Sequence, residues 1–198
     1  MNQKKVIPTW LSAVFLILVI ACIAWNIGDI CGIYQRSIVD LPFDNAKPEA
    51  AQSISKFDFK DFVVRFKLDT VSVILASIAA LVYCLAGYKK EASIFFKTFV
   101  YLFAFYAFVT TFMGASQLFT VIEFGLLCAL ALSFNLGKTR SYIYTGLLII
   151  CSIVKNIILA VDMGLSSANA SVSEFLLVII LGIMVYAKYR DKAARGTN

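Results

Sequence analysis

Two residues combine a chemically capable type with a position where that type is rare. Glu123 lies inside the apolar run Leu118–Phe134, and Lys155 lies inside the run Tyr142–Val161. A full charge at the centre of a bilayer costs about 2.5–3.5 kcal/mol on insertion scales, so it seldom lacks a partner. The two runs are consecutive and cross the lipid in opposite directions. Glu123 is then six residues from Gln117, about 9 Å below one surface at 1.5 Å per residue. Lys155 is seven residues from Asp162, about 10 Å below the same surface. Opposite charges at one height imply an ion pair, far less costly than two isolated charges.

Further polar residues gather at the same depth. Asn26 and Asp29 end the first apolar run, Asp69 and Thr70 open the second, and Thr110 and Thr111 end the third. Ser116, Gln117 and Thr120 lie on or beside the Glu123 face, Ser152 and Asn156 flank Lys155, and Glu174 opens the last run. Two interpretations stand side by side. In one, Glu123, Lys155, Asn156, Ser152, Thr120 and Asn26 line an outward-facing pocket for a small molecule. In the other, a salt bridge fixes helix registry and the remaining polar groups cap helix ends.

The residue inventory argues against catalysis. The chain has no histidine, which removes HExxH zinc sites, Ser–His intramembrane proteases, histidine-ligated haem and histidine-nucleophile phosphatases. It has no Walker A loop and no paired-aspartate motif of the CDP-alcohol phosphotransferases. Of five cysteines, Cys22, Cys84, Cys128 and Cys151 fall inside apolar runs, and Cys31 lies near the outer mouth. With no CxxC they read as free thiols packed as small apolar groups. No cofactor and no metal site is expected, and the chain reads as a non-enzyme.

The elements that position these residues follow from composition. Of 198 residues, 61% are hydrophobic and 15% charged, against about 45–50% and about 25% in soluble domains. A lipid-spanning helix needs about 20 mostly apolar residues. Six runs fit: 7–27, 70–88, 94–113, 118–134, 142–161 and 172–189. The expected fold is all-α, a single-domain polytopic bundle of six transmembrane helices with one long outer loop, 28–69.

The net charge of +6 does not mark a nucleic-acid binder, because its distribution follows the spans. With the amino terminus inside, Lys4-Lys5, Lys89-Lys90, Lys138–Arg140 and Lys188–Arg195 all fall on the cytoplasmic side, and the outer segments carry an acidic excess. This is the positive-inside pattern, and it puts both termini in the cytoplasm of a cell-membrane protein. The first span is expected to be retained, because its apolar run continues past the Cys22-Ile23-Ala24 cleavage-like site.

Smaller features complete the outline. In the long loop Phe59, Phe62, Val63 and Phe66 fall at helical spacing, predicting an amphipathic helix on the outer interface; alternation over Phe62–Leu68 leaves a short strand as the other choice. The third run carries eight aromatics between Phe95 and Phe108, too closely spaced to share one face. Asn135-Leu136-Gly137 ends the fourth run with a helix-stopping glycine, and Ser171-x-x-Glu174 reads as a capping box opening the sixth. Asn169-Ala170-Ser171 is a sequon of a kind common by chance.

In architecture, though not in residue motifs, this layout resembles the substrate-binding subunits of energy-coupling-factor vitamin importers. That resemblance implies small-molecule binding beside a partner subunit. The AxxxA pattern such subunits use to dock their partner is missing from the first span. Two functions therefore remain: small-molecule binding or transport, and a non-transporting accessory or scaffold subunit packed on a partner membrane protein. The partners expected are the bilayer and either a ligand or such a subunit.

Overall fold

The computed structural model describes residues 7–31, 67–111, 117–132, 137–163 and 168–195. These form six α-helices: α1 (Thr9–Ile30), α2 (Leu68–Leu85), α3 (Ser93–Thr111), α4 (Gln117–Leu132), α5 (Lys138–Met163) and α6 (Ala168–Arg195). The protein is an all-helical membrane bundle, and no strand occurs among the described residues. The loop segment with Phe59, Phe62, Val63 and Phe66 lies outside the described residues.

Five helices are long and apolar enough to cross a membrane. The exception is α4, whose 16 residues reach about 24 Å at 1.5 Å per residue. The second helix stops at Leu85, short of the expected Tyr88. Gly87 and Tyr88 both take positive φ, 69° and 60°, which turns the chain into a single 3-10 turn (Lys90–Ala92) before α3. The Tyr88 ring is buried edge-on against Phe15 and Tyr83, so the turn is anchored to the core. Gly137, at φ 113°, supplies the corresponding reversal before α5; side chains rarely adopt that conformation.

Each helix packs against the next, and α6 closes the ring on α1 and also touches α2 and α3. The long apolar face of α6 accounts for that central place: Leu177, Ile180, Leu181, Met184 and Val185 are all fully buried. The opposite surfaces carry the lipid-facing residues, among them Ile17 and Ile20 of α1, Leu75 of α2 and Ile150 of α5. An apolar exterior of this kind is what a bilayer solvates.

The aromatic helix α3 sorts its rings onto two sides. Phe96, Phe99, Phe103 and Tyr106, spaced three or four apart, face the core, whereas Phe95, Tyr101, Phe105 and Phe108 are exposed. The buried rings pack on each other and on Tyr83, with centroids 5.9 to 6.3 Å apart. They are core packing.

Candidate functional site

The site is assembled at the end of the bundle where α4 and α6 begin and α5 finishes. Lys155 stands late on α5, eight residues before its end. Its Nζ lies 3.0 Å from Glu123 Oε2 of α4, so the pair expected from helix depth forms. The same Nζ lies 2.5 Å from Glu174 Oε2 of α6. One ammonium therefore holds two carboxyl groups on two other helices. All three residues are buried, at 2%, 4% and 3% exposure for Glu123, Lys155 and Glu174.

Glu174 was expected to cap the sixth helix, and this is where the structure departs from the sequence pattern. The helix begins at Ala168, so Ser171 already lies within its first turn and is not the N-cap residue. The Glu174 carboxylate turns to Lys155, where a charge-assisted bond in a closed site is stronger than a bond to an end amide facing water. Its Oε1 accepts from Ser152 Oγ at 3.4 Å. The signal that could have identified it was depth: six residues into α6, Glu174 lies at nearly the height of Glu123.

The other expected residues divide into those in the cluster and those beside it. Ser152 is fully buried and bonded to Glu174, and it lies one turn before Lys155. Asn156 donates to the Ser152 carbonyl at 2.7 Å and to its hydroxyl at 3.4 Å, holding that hydroxyl from behind. Thr120 is buried one turn ahead of Glu123. Asn26 is also buried but does not join Lys155. It exchanges two hydrogen bonds with Ser173, at 3.0 and 3.2 Å, which ties α1 to α6 next to Glu174. Ser173 was not foreseen as a member.

Thr110 and Thr111 bond back to carbonyls of their own helix, and Ser72 bonds to Asp69 O at 2.7 Å. The side chains of Asp29 and Gln117, and residue Ser116, lie outside the described residues. Cys22, Cys31, Cys84, Cys128 and Cys151 are all free. Cys151, one turn before Lys155, points its thiol at Phe119 O of α4 at 3.8 Å.

Two features decide what the arrangement can do. The Lys155 ammonium is taken up by two acids, so it has little left to offer an anionic ligand. Glu123 Oε1, by contrast, is buried without a hydrogen-bond partner. A buried carboxyl oxygen left unmatched is costly, and its natural complement is a donor or a positive charge. At the far end of the bundle Tyr189 OH bonds Ser141 Oγ at 2.6 Å and Gly137 O at 3.2 Å. That contact pins α5 against α6 a second time, so the register presenting Lys155 to Glu174 is held from both ends.

Compared with protein families, with curated proteins and with solved structures, the chain matches none.

Proposed function

We propose that this multi-pass membrane protein binds a small cationic solute, such as a primary or quaternary ammonium compound, at the Glu123–Lys155–Glu174 cluster. The carrying observation is the unpartnered, buried Oε1 of Glu123 beside a second carboxyl group. Together they offer acceptors and negative charge in excess of the one ammonium present. Binding or transport of the solute is the activity; the chain performs no covalent chemistry on it. Thermal unfolding in detergent tests this with methylammonium, ethanolamine, choline and putrescine as chloride salts. At least one should raise the wild-type Tm and leave Glu123→Gln unmoved. Equal shifts in both proteins, or no shift with any of the four, would overturn the reading.

The site lies at the outer end of the bundle on this proposal. Support comes from the basic residues at the other end of the helices: Lys89, Lys90, Lys97, Lys138, Arg140 and Arg190 are exposed there, as the positive-inside rule asks of a cytoplasmic face. In a chain with Cys31 replaced by serine, a membrane-impermeant maleimide should label Ser53→Cys in intact cells and spare Thr197→Cys until the cells are broken. Labelling of Thr197→Cys from outside would reverse the orientation.

A second reading, an accessory subunit in which the cluster only fastens helices, is favoured by how fully the cluster is closed off. Under it the neutral triple variant Glu123→Gln, Lys155→Met, Glu174→Gln would retain all function.

A further inference from the structure

We infer that the Glu123–Lys155–Glu174 cluster stores one proton, on Glu123, and that a cationic ligand enters by exchange with it. The exchange half rests on the function proposed above; the stored proton stands on the geometry alone.

Two carboxyl groups and one ammonium share a site closed to solvent. Were all three ionised, the site would carry an uncompensated negative charge inside the apolar bundle, which burial strongly disfavours. No other cation balances it among the described residues. Lys67, at the start of α2, is exposed. The cations of the surrounding helices, Lys97 of α3, Lys138 and Arg140 of α5 and Lys188 and Arg190 of α6, stand at the opposite ends of those helices from the cluster, and Cys151 of α5, Cys22 of α1, Asp69 of α2 and Tyr106 of α3 do not become positive. Two acids crowded on one base resolve the excess by sharing a proton.

The hydrogen bonds say which acid holds it. Glu174 accepts from Lys155 on one oxygen and from the Ser152 hydroxyl on the other, so its ionised form is the better stabilised. Glu123 accepts from Lys155 on Oε2 and from nothing on Oε1. The proton belongs on Glu123. When an ammonium ligand arrives, the Glu123 O–H bond breaks, the oxygen pairs with the ligand cation and the proton leaves to water. The charge of the site is the same before and after, so neither state buries an unpaired ion.

Infrared spectroscopy of the full-length protein in detergent at neutral pH, in light and heavy water, reads the proton directly through the carboxylic-acid C=O band. Wild type should show a band component that disappears in Glu123→Gln. It should disappear in Glu174→Gln as well, because one acid and one base then balance and Glu123 ionises. Lys155→Met should strengthen the component to about twice its wild-type amplitude, both acids now being neutral. A wild-type spectrum lacking the component would overturn the stored proton, as would its survival in Glu174→Gln. Should Lys155→Met fail to fold, the two glutamine variants decide the matter. The infrared pattern without ammonium binding would sink the proposed ligand and leave the proton; ammonium binding without the pattern would do the reverse.

Discussion

Lys155→Met is expected to destabilise the protein by about 3–5 kcal/mol, the range for removing one partner from a buried ion pair. The reason lies in the number of groups that depend on this ammonium. Glu123 and Glu174 both lean on it, so its loss leaves two buried acids with one hydroxyl donor, Ser152, between them. Glu123→Gln should be much milder. With Glu123 neutral already, the amide keeps the shape and still accepts from Lys155, while Glu174 and Lys155 remain a balanced pair. Adding Glu123→Gln and Glu174→Gln to Lys155→Met should recover most of the loss, because no buried acid then has to take up a proton on folding. Unfolding of the purified variants in mixed detergent micelles with rising denaturing detergent gives the comparison. Equal losses for Glu123→Gln and Lys155→Met would mean that the cluster is a simple two-residue bridge with Glu174 a bystander.

A second large effect is expected on α3, where two rings two residues apart have opposite surroundings. Phe103 is 2% exposed and packs on Phe99 and Tyr106, whereas Phe105 is 42% exposed on the lipid-facing side. Phe103→Ala should cost about 3 kcal/mol, the low end of the range for such truncations in soluble cores. The lower figure is appropriate because lipid is as apolar as the core, so little transfer free energy is lost and the cavity supplies the penalty. Phe105→Ala opens no cavity, since acyl chains close over the vacated surface, and it should change stability by well under about 1 kcal/mol. The same unfolding assay measures both. Comparable losses at the two positions would show that the exposed face of α3 is covered by protein in the membrane, as an accessory subunit docked there would cover it.

Membrane character and the number and order of helices were legible in the sequence, because they depend on local composition. A run of apolar residues is driven into lipid by its own transfer free energy, and its backbone must then be helical to satisfy its own hydrogen bonds. Each of the six runs became a helix, with ends displaced by a few residues where caps and turns took over. The displaced end at Leu85 shows the limit, since Tyr88 is apolar enough to extend the helix but is held in the turn by Phe15 and Tyr83. The meeting of Glu123 and Lys155 was legible too, for depth along a helix follows from residue count alone.

What depth does not reveal is the direction a side chain points around its helix, and that belongs to tertiary structure. Glu174 had the right height but a sequence context that also fits a cap; only the packing of α6 against α5, secured at the far end by Tyr189 and Ser141, turned it toward Lys155. Asn26 and Ser173, 147 positions apart in sequence, meet because α6 closes the ring onto α1. The aromatics of α3 were divided between core and lipid in the same way. Composition put charged groups at one level of the membrane, and the rotation of three helices about their axes made them a cluster with one acid too many for its base.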